Sequence, residues 1–101
     1  MLTSKQRAYL RGLANRIDTI LILGKGEITD NVINQADTAL TAREIIKGKV
    51  LDNSAYSSRE AADIIADKCG ADVVQVIGSK FILYRKNEDE PVIVLPKANK
   101  K

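Results

Sequence analysis

The chain has 101 residues, of which 45% are hydrophobic and 29% charged. That length fits one domain, and the balance suits a soluble globular fold rather than a disordered chain. The 16 basic and 13 acidic residues leave a net charge of +3, and no apolar run approaches the roughly 18 residues of a membrane span. Histidine is absent and Cys69 is the sole cysteine. This composition argues against a His-based catalytic triad, a zinc site and an internal disulfide. No cofactor and no metal are therefore expected. The first residues carry no apolar stretch of the secretory kind, and one unpaired cysteine suits a reducing, cytoplasmic setting. Aromatic residues are 4%, without Trp, so platforms for base stacking are scarce.

Residues 4–15 predict a helix, capped by Thr3 or Ser4. Tyr9, Leu10, Leu13 and Ala14 recur at helical spacing as its buried stripe, and Arg7 and Arg11 project together from one face. Residues 18–23 form a short apolar run ending at Gly24, which predicts a strand buried on both faces. Gly24, Lys25, Gly26 and Glu27 form a tight loop, and Thr29 opens a second helix with Ile28 and Ile33 as a hydrophobic staple. Residues 44–51 predict a second strand with Lys47 and Lys49 on one face. Ser57 and Glu60 fit a capping box for a third helix, which buries Ala61, Ile64, Ile65 and Cys69 and ends at Gly70. Residues 73–77 and 81–84 flank Gly78 and Ser79 as a β-hairpin. Residues 91–96 are apolar but bracketed by prolines, so they make a short edge strand or an extended segment packed on the body. The order α-β-α-β-α-β-β implies an α/β single domain with a four-stranded mixed sheet covered by helices. The domain is expected over residues 1–96, with 97–101 as a basic flexible tail.

The charge is unevenly distributed. Residues 1–25 hold five basic residues against Asp18, whereas residues 52–101 hold eight of each sign. A basic N-terminal quarter suits a polyanion-facing side, and equally a solvated helix. The loop from Gly24 to Glu27 follows a strand and opens a helix. Its glycines let the backbone approach a ligand, the helix end adds amide donors, and Lys25 adds a cation, a combination that favours phosphate. A βα turn that simply needs glycine explains it as well. It lacks the spacing of a Walker A loop and the third glycine of a dinucleotide fingerprint. Lys47 and Lys49 either extend a basic surface or snorkel. Ser57 and Ser58 have no His partner, Asp63 and Asp67 lie on one helix face where solvation accounts for them, and Cys69 fits a small buried side chain. Asp37 and Glu44 could be neighbours, but the sequence does not bring them together. No enzymatic activity is expected.

Several segments together resemble a known family. They are residues 2–11, Leu13-Ala14, Leu23-Gly24-Lys25-Gly26, Glu44-Ile45-Ile46-Lys47, residues 74–78 and Leu83-Tyr84-Arg85. In this order they are similar to the CRM domain, the RNA-binding module of chloroplast splicing factors and of bacterial YhbY-like proteins. A single domain is closer to the bacterial form. The resemblance implies a fold like the C-terminal domain of translation initiation factor three. It also implies RNA binding through a KH-like Gly-x-x-Gly loop with nearby basic residues, and association with precursors of the large ribosomal subunit during ribosome biogenesis. Gly24, Lys25 and Gly26 match the family's Gly-Lys-Gly-Gly loop, and Glu27 replaces its last glycine. A carboxylate there repels phosphate but gains from the helix dipole. The expected RNA-binding set is thus Gly24, Lys25, Gly26, Lys5, Arg7, Arg11, Lys47 and Lys49, in a monomer whose partner is ribosomal RNA and which makes no membrane contact. The alternative is a protein-interaction module docking on a ribosomal protein or assembly factor.

Overall fold

The computed structural model describes residues 2–24 and 28–95. Its elements are α1 (Ser4–Ala14), β1 (Thr19–Leu23), α2 (Asp30–Arg43), β2 (Ile45–Val50), α3 (Ser58–Cys69), β3 (Asp72–Ile77) and β4 (Lys80–Tyr84). Local chemistry sets the helix ends. Thr3 Oγ1 accepts from the Gln6 amide and Gln6 Oε1 accepts from the Thr3 amide, each at 3.1 Å. Ser57 and Glu60 make the same reciprocal pair at 3.1 and 2.8 Å, and Thr29 caps α2 through the Val32 amide at 3.3 Å. Such caps satisfy amides that the first helical turn leaves unpaired. Gly70 ends α3 at φ +67°, ψ +38°, which lets the Ala71 amide return to the Ala66 carbonyl at 2.8 Å.

The strands form one mixed sheet in the order β1-β2-β4-β3. β1 and β2 are parallel, while β4 is antiparallel to both β2 and β3. Two apolar layers flank it. On one face Ala36 and Leu40 of α2 and Ala61, Ala62, Ile65, Ala66 and Cys69 of α3 pack on Leu21, Leu23, Ile46, Val50, Phe81 and Leu83. On the other, Leu10 and Ala14 of α1 pack on Ile45, Val74, Ile82 and Tyr84, with Ile93 and Leu95 against the same cluster. Between Lys47 and Lys49 the strand needs glycine. A Cβ on Gly48 would lie 2.2, 2.6 and 2.8 Å from ring carbons of Phe81, which is fully buried.

Three expectations are corrected and one pair of alternatives is resolved. β1 is buried on one face only, because α2 and α3 cover the face of Leu21 and Leu23 while α1 packs on the other strands of the opposite face; Ile20 and Ile22 are exposed. Tyr9 is 42% exposed and so lies outside the buried stripe of α1, whose fully covered residues are Leu10 and Ala14. Glu44 does not begin β2. It caps the end of α2 at φ +66°, and its buried carboxylate accepts from amides of the C-terminal segment. Of the two options for the proline-bracketed stretch, residues 91–95 are the extended segment and join no strand. Pro96 and the tail 97–101 lie outside the described residues.

Candidate functional site

The β1–α2 junction is the loop singled out by the sequence. Leu23 anchors its near side, its carbonyl accepting from the Leu51 amide at 2.8 Å. Gly24 is half-buried and its φ lies outside the left-handed region, with room for a Cβ 3.5 Å from Leu51 Cδ1. Nothing around Gly24 itself therefore demands glycine. Lys25, Gly26 and Glu27 lie outside the described residues. On the far side Ile28 and Ile33 both pack on the main core. Thr29 already accepts from Val32, and Asp30 places a carboxylate in the first turn of α2. The positive end of that helix dipole is thus partly matched from within the chain.

The basic residues of α1 divide by role. Lys5 is exposed, and Arg11 is half-buried in the last turn, where a cation complements the helix dipole. Arg7 reaches into the fold. Its Nη1 donates to the carbonyl of Val73, and to that of Val74 at 3.2 Å. The pairing of β3 with β4 shifts register between Val73 and Gln75, so Arg7 pins α1 against an irregular stretch of strand.

Lys47 and Lys49 are half-buried on the sheet face that carries α1, and the register sets Lys49 directly opposite Lys80. Lys80 was missed at the sequence level because cross-strand pairing leaves no signal in a single chain. Among the described residues the ion pairs are Arg59 with Asp63 at 3.5 Å and Arg85 with Asp37 at 2.6 Å. None involves Lys47, Lys49 or Lys80.

Asp37 and Glu44 serve the fold separately. Arg85 Nη1 donates to Asp37 Oδ1 at 2.6 Å and to the Cys69 carbonyl at 2.8 Å. Its Nη2 donates to the Asp37 carbonyl at 3.1 Å and to Thr41 Oγ1 at 2.7 Å. One guanidinium so joins α2, the end of α3 and the end of β4. Glu44 accepts from the Asn87, Val92 and Ile93 amides at 2.7, 2.7 and 2.6 Å. Burial pushes its carboxyl up, but the three amides and Lys86 outweigh that and hold it below the ordinary value. The Cys69 thiol is pushed up by burial and by Asp37, with Arg85 opposing. That makes it a poor nucleophile. A separate apolar groove of about 390 Å³ runs between α1, the β1 edge and the C-terminal segment, lined by Leu13, Ile17, Ile20, Ile45, Val92 and Ile93 among others.

The comparisons with known proteins agree with one another. The CRS1 / YhbY (CRM) domain model matches residues 2–85. A Bacillus subtilis relative called probable RNA-binding protein YqeI is 38% identical over 96 residues, covering 95% of this chain and all of that one. A Haemophilus influenzae relative called RNA-binding protein is 33% identical over 96 residues, covering 95% and 96% of the two chains. A solution structure of a Staphylococcus aureus protein, described as a candidate RNA-binding protein, superposes with a TM-score of 0.78 at 44% identity. It covers 95% of this chain and all of its own. The match is continuous from α1 to β4, and the chain belongs to the CRS1/YhbY (CRM) domain family.

Proposed function

We propose that this protein binds RNA and acts in the cytoplasm as an assembly factor on precursors of the large ribosomal subunit, as a binding module rather than a catalyst. The observation that carries the RNA part is similarity along 95% of the chain to proteins called RNA-binding. The cationic side chains support it. Lys5 and Arg11 stand on α1, Lys25 sits in the loop that the resemblance marks, and Lys47 and Lys49 lie on the sheet face shared with α1. Arg7 serves the α1–β3 contact first and contributes to RNA binding through the helix it holds in place. Few aromatic residues and several cations favour recognition of backbone and shape over base readout.

A salt titration of binding to a large-subunit ribosomal RNA transcript, with duplex DNA as competitor, tests this. About four phosphate contacts give a log–log slope near −3 on single-stranded RNA, at roughly −0.7 each. Lys25→Ala weakens binding and Glu27→Gly tightens it. Binding that is weak at low salt, or equal for DNA, refutes the proposal.

The second reading is a module that docks on a ribosomal protein or assembly factor and uses its basic face only for steering. The apolar groove between α1 and the β1 edge favours it. In that case capture by assembling particles persists when the RNA is digested, and salt has little effect.

A further inference from the structure

The two faces of the sheet are covered unequally. α2 and α3 pack along one face from Leu21 and Leu23 on β1 to Phe81 and Leu83 on β4. On the other face α1 covers the end built by Ile45, Val74, Ile82 and Tyr84. The register shows what lies beyond α1. Ile22 pairs with Lys49, Lys49 with Lys80, and Lys80 with Ile77. These four residues form one row across all four strands. Their neighbours Leu21, Leu23, Val50 and Phe81 face the α2–α3 core, so alternation points the row to the α1 face. Lys47, two residues before Lys49, shares it. Ile22 and Ile77 are each 61% exposed, Lys80 is exposed, and Lys47 and Lys49 are half-buried.

This arrangement works against the fold. The Val50 amide donates to the Ser79 carbonyl at 2.7 Å, so the adjacent pair Lys49–Lys80 is of the close, non-hydrogen-bonded type, with Cβ atoms about 5 Å apart. Like charges directly opposed on a sheet cost stability. None of the ion pairs among the described residues relieves them. The row also sits where β1 runs into the Gly24 loop and where the β3–β4 hairpin turns at Gly78 and Ser79.

Resting on the RNA-binding reading above, we infer that this uncovered end of the sheet is a contact surface for single-stranded RNA. Lys47, Lys49 and Lys80 hold backbone phosphates, and Ile22 and Ile77 pack against ribose and base faces at either end of the row. Among the described residues no acidic side chain pairs with the opposed lysines, and anionic charge is their complement. A single strand fits better than a duplex, because an A-form helix hides its base faces and presents only edges and 2′-hydroxyls. The cations supply the salt-sensitive share of affinity and the isoleucines a share that salt does not change.

The test measures binding of an unstructured single-stranded RNA oligonucleotide across salt, with thermal melts of each variant. The triple variant Lys47→Gln, Lys49→Gln, Lys80→Gln should flatten the log–log slope by about 2, at roughly 0.7 per lost contact, with an unchanged or higher Tm. Ile22→Thr with Ile77→Thr should weaken binding without altering the slope. Lys49→Glu, set opposite Lys80, should raise Tm while lowering RNA affinity, an outcome that a purely structural lysine would not give. If the wild type binds RNA and the triple variant matches it in affinity and slope, the inference is overturned and the RNA-binding reading stands. If the wild type binds no RNA, both fall together. If the triple variant keeps its RNA affinity but no longer associates with ribosomal particles, the row contacts an acidic protein surface and the inference is wrong.

Discussion

Glu44→Gln removes one charge from the centre of the C-terminal clamp and keeps the side-chain shape. Glu44 is fully buried and ends α2 at φ +66°, ψ −36°, a positive φ that residues with a Cβ rarely adopt. Holding it there costs about 1–3 kcal/mol. The carboxylate offsets that cost by accepting three backbone amides, Asn87 on Oε2 and Val92 and Ile93 on Oε1. Glutamine can keep the two bonds on Oε1 but turns an NH₂ toward the Asn87 amide. An amide left without an acceptor costs about 1–3 kcal/mol, and the other two bonds lose their charge assistance. A net loss of about 3 kcal/mol is expected, which lowers Tm by roughly 12–24 °C for a domain of this size. Glu44 titrates below its ordinary value of 4.5 when folded. Its contribution is therefore present above that value and is lost as pH falls through the lower folded value. Melts followed by circular dichroism at pH 7 and at pH 3.5 check both points. The gap between wild type and variant should be wide at pH 7 and narrower at pH 3.5. A Tm within a few degrees of wild type at pH 7, or a gap independent of pH, would refute the assignment of the carboxylate as the clamp.

Three further outcomes are expected. Gly48→Ala forces a methyl into the ring of buried Phe81, and should destabilise by about 3 kcal/mol in urea denaturation; a neutral effect would mean the ring can move. Arg85→Lys loses the forked contacts to Asp37, Thr41 and Cys69. A loss of about 2 kcal/mol is expected, mainly from the backbone bonds, because the Asp37 carboxylate is solvent-screened. Cys69 is buried with its thiol pushed up, so a thiol reagent at pH 8 should react slowly until denaturant is added; immediate full labelling of the folded protein would contradict its burial.

Much of the architecture was legible in local sequence. Thr3 with Gln6, Thr29, Ser57 with Glu60, and Gly70 mark helix ends through bonds formed within a few residues, and these do not depend on the rest of the fold. Periodicity found the strands, but it read β1 as buried on both faces because Ile20 and Ile22 are as apolar as Leu21 and Leu23. The two isoleucines are exposed because α1 packs on Ile45, Val74, Ile82 and Tyr84 and leaves β1 uncovered on that side, which the strand itself does not encode. The candidate site divides the same way. Arg7 and Arg11 look equivalent in the helix, yet Arg7 is engaged by carbonyls of β3, 66 and 67 residues away.

The order of elements, the caps, the hairpin turn and the basic character of the first quarter are readable along the chain, since each rests on neighbouring residues. Which face α1 covers, the hold of Glu44 on the C-terminal segment, and the placement of Lys49 opposite Lys80 emerge only when the elements pack together. Those facts depend on register and layer packing between residues tens of positions apart, and no local propensity carries that information.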